Sequence, residues 1–221
     1  MIKDLFRYCN DIGMFASDRP INDVGSVEGS CDHRTSFCDD TCYNVKLYRI
    51  YPNMGKRDER CEREWQQVSG NAVRTYLSRK KKQIKRARHM TRGEAIKDLS
   101  DIYRVKDIAL ATPDTTWWIP TRAWRNTLLR ELIQIELFPI ANIALNASLD
   151  PSNTQDEEDG LIDDGWNIMY YGDDTKYAGK GEAFKCPKTW KKMSGHCAVC
   201  KAGCFSQTTI GKRVTVHLSS H

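Results

Sequence analysis

The chain lacks any apolar run approaching the roughly 18 residues of a membrane span, so no membrane segment is expected. Its first residues, MIKDLFRYCNDIG, carry an acid at position 4 and no apolar core, so no secretory leader is expected either. No internal repeat is present, which argues against a repeat array. The cysteines cannot all pair, because there are nine of them. Acids are missing from Arg74 to Arg92, and bases are missing from Asp150 to Asp164. These absences predict a cytoplasmic, soluble protein, a compartment in which disulfides are rare.

What is present is sufficient for a core. At 221 residues, with 40% hydrophobic content, six Trp and nine Tyr, the chain suits one domain, or one domain with a small appendage. Seven cysteines form two clusters: Cys31, Cys38 and Cys42 in CDHRTSFCDDTCY, and Cys186, Cys197, Cys200 and Cys204 in CPKTWKKMSGHCAVCKAGC. Such density suits metal ligands, because one ion or cluster must be reached from a single short loop. Metal is therefore favoured over disulfide. Four thiols can close a site, and three leave a coordination position open. The late set suits zinc or a four-thiolate iron–sulfur cluster, and both need thiolates at this spacing. Lys185, Lys188, Lys191, Lys192 and Lys201 would offset its negative charge, and His196 would tune or pack beside it. Cys9 and Cys61 read as buried or incidental thiols, with Cys61 a candidate fourth ligand for the first cluster.

The middle of the chain alternates between helix and strand. Residues 56–83 read as one helix on Trp65, Val68, Ala72, Tyr76 and Leu77, with Gly70 inside the pattern. Residues 94–110 read as a helix with Ile96, Leu99, Ile102, Tyr103 and Ala109 on one side, and residues 123–137 as another with Leu128, Leu132 and Ile135 on one face. TTWWIP, residues 140–149 and residues 166–172 read as strands. Residues 150–165 read as an acidic loop, and 207–218 as an extended segment or hairpin around Gly211. IKRARHM is too basic to read as a buried parallel strand. This order predicts parallel βαβ units with ligands at the C-terminal strand ends. Three motifs fall at such ends. MTRGEA places Gly93 for close backbone approach and Glu94 as an acceptor for an amine; PTRAW places Thr121 and Arg122; ASLD places Ser148 and Asp150.

A three-cysteine loop followed by these turns in this order resembles the radical SAM superfamily. The resemblance implies a [4Fe–4S] cluster on Cys31, Cys38 and Cys42, S-adenosylmethionine at its open iron, and Gly93-Glu94 at the amine-binding turn. Arg122, Ser148 and Asp150 would line the same mouth, Arg122 suiting a carboxylate or phosphate. CDDTCY, the helix leading to TTWWIPTRAW, ALNASLD and the late CP…C-x2-C-x3-C set are more similar still to a phage-encoded family, the gene-product-88-like domain, over roughly residues 25–205. That implies a phage origin, iron–sulfur binding and the host cytoplasm. The expected fold is α/β, a partial (βα) barrel of radical-SAM-like type with a Cys-rich C-terminal extension. Its parts are an N-terminal segment 1–24, the α/β domain 25–175 and a metal-binding extension 176–221.

Charge suggests a partner. Nine Lys or Arg lie between Arg74 and Arg92, which leaves the rest of the chain net negative. Arg79, Lys80, Lys81, Lys82, Lys85 and Arg86 suit the phosphates of a nucleic acid or an acidic host protein, unless the acidic stretch 150–164 folds over them. Two classes of function follow: an iron–sulfur enzyme of radical SAM type acting on a nucleic acid or nucleotide, and a non-catalytic phage factor stabilised by zinc or iron–sulfur.

Overall fold

The computed structural model describes residues 2–173, 175–177, 183–191, 197–206 and 214–219. In chain order the elements are β1 (Phe6–Cys9), β2 (Met14–Ser17), α1 (Ser36–Thr41), α2 (Tyr43–Ile50), α3 (Asn53–Gln67), α4 (Gly70–Ser78) and β3 (Arg86–Arg88). There follow α5 (Leu99–Ala111), β4 (Thr116–Thr121), a 3-10 turn Ala123–Arg125, α6 (Thr127–Glu136), β5 (Ile143–Leu149) and α7 (Gln155–Asp163). The chain ends through β6 (Asn167–Gly172), β7 (Phe184–Lys185), α8 (Pro187–Trp190) and β8 (Thr215–Ser219). Among the described residues no helix is long and apolar enough to cross a membrane.

The strands form one eight-stranded sheet in the order β1-β2-β3-β4-β5-β6-β8-β7. β1 pairs antiparallel with β2, and every other pairing is parallel. From β2 to β6 each strand lies beside its predecessor and the order never reverses. With right-handed crossovers, that winding sends α5, α6 and α7 to a single face. The architecture is thus mixed α/β, and its sheet takes strands from both ends of the chain.

Alternation along the strands separates two faces. One is the main core. Ala87, Trp117, Ile119, Leu145, Ala147, Ile168 and Tyr170 pack there against Cys61 and Trp65 of α3, Val73 of α4, Ile102, Val105 and Ile108 of α5, and Ile133 of α6. The other face carries Arg86, Arg88, Trp118, Pro120, Asn146, Ser148, Asn167, Met169 and Val216, and among the described residues no long helix covers it. The loop 197–206 lies on it instead. Asn146 donates to the Cys204 carbonyl and Asn167 to that of Ser206, while Trp118 packs on Phe205.

β4 contains a proline although it is central. Thr116 N–H bonds the Lys85 carbonyl and the Trp118 carbonyl accepts from His89, so even-numbered residues of β4 face β3. Pro120 is the next such position, beyond the end of β3, where no partner requires its missing N–H.

Several expectations are corrected. The 56–83 helix is two helices, because Ser69 caps the second by accepting from Ala72 N–H. Gly70 opens α4 at a close approach to α5: a Cβ there would lie 2.3 Å from the Asp107 carbonyl oxygen. Gly70→Ala is therefore expected to cost about 1–3 kcal/mol by overpacking, read as a fall in urea midpoint. An unchanged midpoint would mean that α4 and α5 can part freely.

α5 starts later than expected, after Asp98, whose carboxylate accepts from Ser100 and Asp101 N–H. Its buried stripe is Asp101, Ile102, Val105, Ile108 and Ala109, with Leu99 and Tyr103 exposed. α6 buries Leu129 and Ile133 and turns Leu128 and Ile135 outward, the latter 66% exposed.

The acidic stretch is not a loop. Thr154 and Glu157 form a capping box, and the acids of the first turn complement the helix dipole of α7. The basic stretch does supply a strand, β3, since its arginines find partners on the face without long helices. Arg88 lies over Trp118 and Arg86 over Phe205. The segment 207–213 lies outside the described residues.

Candidate functional site

The C-terminal ends of β3, β4, β5 and β6 surround a cavity of about 150 Å³. Cys31, Cys38 and Cys42 line it, together with Gly93, Glu94, Arg122 and Ser148. Arg34, Arg88, Met90, Pro120 and Met169 also line it.

Local sequence explains how the cysteines reach it. Thr35 caps α1 by accepting from Cys38 N–H, and its hydroxyl donates to Asp150 at 2.6 Å. The loop that carries the thiols is thereby pinned to the end of β5. Cys42 ends α1 and precedes α2, where the Val45 and Asn44 N–H groups lie near its sulfur. Contact with Cys38 lowers the Cys42 pKa most, burial opposes, and those N–H groups and Arg34 help bring it to about 6. The same contact, with burial, pushes the Cys38 thiol well up. Burial, with Glu94 and Cys42 adding to it, raises Cys31 to about 12.

The polar groups of the mouth are engaged with one another. Glu94 accepts from the backbone N–H of Ala95, Ile96 and Arg122, so its expected role toward an amine is taken by the protein's own donors. Burial raises its pKa against those bonds. Arg122 pairs with Asp150 at 2.8 Å and reaches the Ser148 carbonyl. Burial opposes ionisation of Asp150, but Ser152, Thr35 and Arg122 outweigh it and hold the carboxyl below the usual range. Gly93, at φ 75°, brings its backbone against Ser30 and Arg19, where a Cβ would meet Ser30 Oγ at 2.5 Å. Its close approach is to the protein itself. Met90, at φ 59°, stores backbone strain beside the cavity, held by Ser17 Oγ on its N–H and Arg88 on its carbonyl.

The second group lies on the same sheet face, beside Trp118 of β4 and Val216 and Leu218 of β8. Cys186, Cys197, Cys200 and Cys204 wall a cavity of about 30 Å³ with Trp118, Phe205, Val216 and Leu218. Cys197 N–H bonds the Ile12 carbonyl, Cys186 N–H that of His217, and Ala202 N–H approaches the Cys200 sulfur at 3.4 Å. Arg86 clamps the loop through the Ala198 and Cys200 carbonyls. Burial raises Cys197 to about 11 and Cys204 to about 12; neighbouring thiols add to this and Arg88 offsets part of it. Lys185 lies over Trp190 and Lys188 pairs with Asp11, while Lys192 and His196 lie outside the described residues.

The two groups are neighbours. Trp118 at one and Pro120 at the other are two residues apart on β4, about 7 Å along a strand. Met169 at one is the register partner of Val216 at the other. Among the described residues, no three His, Cys, Asp or Glu side chains converge as closely as a bound ion would draw them.

Cys61 is not available as a fourth ligand. It is fully buried in the main core, across the sheet, and its thiol donates to the Asp4 carbonyl. Cys9 packs with Ile12, Met14 and Ala16 against Cys197 and Phe205. Arg86 is spent on the cysteine loop, unlike Arg79, Lys81, Lys82 and Lys85, which are exposed. Reasoning from sequence missed Thr35, Arg88, Met90 and Met169. Only Thr35 carried a signal, a capping residue three positions before Cys38.

A family model described as Gene product 88 matches residues 20–181. That is well over half of the chain, which belongs to this bacteriophage family. No curated protein and no solved structure matches it.

Proposed function

We propose that this member of the Gene product 88 family is an iron–sulfur protein. Cys31, Cys38 and Cys42 would hold a [4Fe–4S] cluster, and Cys186, Cys197, Cys200 and Cys204 a second centre, either iron–sulfur or zinc. The observation that carries the reading is the gathering of seven thiols into two groups, each walling its own cavity on the sheet face that lacks long helices. The donor chemistry fits: thiolates are the ligands of such clusters, and Arg34, Arg88 and Arg122 supply the positive charge that favours deprotonation. A cluster bound at the first group would supply electron transfer, and three thiolates would leave one iron open.

Parallel strands laid side by side in chain order, with the three thiols at their C-terminal ends, support a partial (βα) barrel of radical-SAM-like type. S-adenosylmethionine is then the candidate ligand for the open iron. A second reading, a metal-stabilised factor in the host cytoplasm that catalyses nothing, is favoured by the internal engagement of Glu94 and Arg122. It is also favoured by the x6 and x3 cysteine spacings, which differ from the x3 and x2 of radical SAM proteins.

Anaerobic purification with iron, sulfide and zinc quantification tests the proposal. A brown protein is expected, losing one centre in Cys38→Ala and the other in Cys200→Ser. A colourless protein holding only zinc, or full iron content in Cys38→Ala, would overturn the iron–sulfur assignment. Dithionite reduction with S-adenosylmethionine then separates the readings: 5′-deoxyadenosine marks the enzyme, and an intact cluster without it marks the factor.

A further inference from the structure

The first half of the basic stretch, Arg74 to Lys85, lies at the opposite end of β3 from the three-cysteine cavity, which Arg88 and Arg92 line. Loop 79–85 joins α4 to the N-terminal end of β3, whereas Cys31, Cys38 and Cys42 sit beyond its C-terminal end. Arginines elsewhere are mostly neutralised within the molecule: Arg19, Arg57, Arg60, Arg92, Arg122 and Arg130 each pair with a carboxylate. Among the described residues, Arg74, Arg79, Lys81, Lys82 and Lys85 have no carboxylate partner, and all five are exposed. The acidic stretch does not cover them. It forms α7, packed beside β6, and its Glu158 and Asp164 pair with Lys176 and Arg130.

The loop borders a groove of about 560 Å³, in which Arg74, Lys80 and Gln83 face Leu110 and Pro113, with Asp114 as its acid. On its other side the charge runs into aromatic rings. The Lys80 ammonium lies 3.8 Å from the Tyr76 ring centre and 5.1 Å from that of Phe15. Phe15 in turn packs edge-on against Tyr8 of the edge strand, which is 54% exposed.

We propose that this surface binds single-stranded nucleic acid, with phosphates along Arg74, Arg79, Lys81, Lys82 and Lys85 and a base stacked on Tyr8. Unneutralised cations beside an open aromatic ring are the pairing that single strands use, and a stacked duplex offers no free base face to Tyr8. The surface is independent of the metal centres, so this proposal and the iron–sulfur reading can fail separately.

Fluorescence anisotropy on the full chain tests it, with labelled oligo(dT), oligo(U), a duplex of the same length, and poly-glutamate as a competitor. Single strands are expected to bind more tightly than the duplex. The slope of log affinity on log salt should be about −3.5, from roughly five neutralised phosphates at ~0.7 each. Lys81→Glu/Lys82→Glu is expected to flatten that slope. Tyr8→Ala should weaken single-strand binding by roughly tenfold and leave the slope unchanged. Both variants alter exposed side chains, and an unchanged melting temperature confirms their fold. No oligonucleotide binding at about 50 mM salt, or a Tyr8→Ala affinity equal to wild type, would overturn the proposal. So would displacement by poly-glutamate at equal charge, which would point to an acidic protein partner instead.

Discussion

Replacing Arg19 by methionine is expected to destabilise the protein by about 3–5 kcal/mol, as breaking a buried ion pair from one side does. Arg19 is almost wholly buried between β2 and α3. Its fork holds both Glu62 oxygens, at 2.6 and 2.7 Å, and Asp101 at 2.7 Å. A further donor reaches the Glu94 carbonyl, and the guanidinium lies near the Trp65 ring. Burial alone would depress its pKa, but the two carboxylates outweigh that and raise it. Without Arg19, Asp101 keeps Arg104 and Trp65 Nε1, whereas Glu62 keeps only a contact from Gln66. The cost should therefore concentrate on Glu62, and adding Glu62→Gln to Arg19→Met should recover part of it. Urea unfolding reads both effects. An Arg19→Met midpoint equal to wild type would show that the cluster is not the keystone between α3 and α5.

The second large effect depends on pH and resides in His89. Its ring is fully buried, stacked on Trp117 at 4.4 Å with Trp65 edge-on, and among the described residues neither ring nitrogen has a hydrogen-bond partner. Burial lowers its pKa to about 3. The unfolded chain titrates near 6.5, so between those values the unfolded state binds more protons than the folded one. The stability contribution is complete above pH 6.5 and is lost as the pH falls toward 3. At ~1.4 kcal/mol per pH unit the loss reaches about 5 kcal/mol.

Other groups act in other ranges. Asp18 and Asp150 are held below their usual values, so their contributions fade only in stronger acid. Glu94, raised by burial, works in the opposite sense. His89→Phe isolates the histidine. It keeps an aromatic on Trp117 and removes both unpartnered nitrogens, so stability at pH 7 should change by no more than about 1.5 kcal/mol. The fall between pH 6.5 and 4.5 should shrink. Parallel wild-type and His89→Phe curves over that window would refute a neutral buried histidine.

How far the sequence could be read follows from how each element is buried. β4, β5 and β6 were legible because parallel strands covered on both faces appear as near-continuous apolar runs. β1, β2 and β3 were not, because they are short and at the sheet margin, and β3 carries arginines that find partners only in the folded molecule. The faces of α5 and α6 were read only in part, Ile102, Ala109 and Leu132 rightly and Leu99, Tyr103, Leu128 and Ile135 wrongly, for a related reason. Each helix has two apolar stripes, and periodicity cannot say which one meets the sheet. α7 was legible in principle through its Thr154–Glu157 box, but seven acids obscured it. The cysteine groups could be located from spacing, whereas the charges that tune them, Arg88 above all, come from a distant strand.

The loop 197–206 closes over the sheet face that carries both thiol groups, and it lies late in the chain. On the ribosome, β1 to β6 are made before it, so this face and the three thiols at its rim meet solvent first. β8 then slots between β6 and β7, and until it arrives β6 is a bare edge. A chain that stops short of Val214 would keep that edge open to other chains.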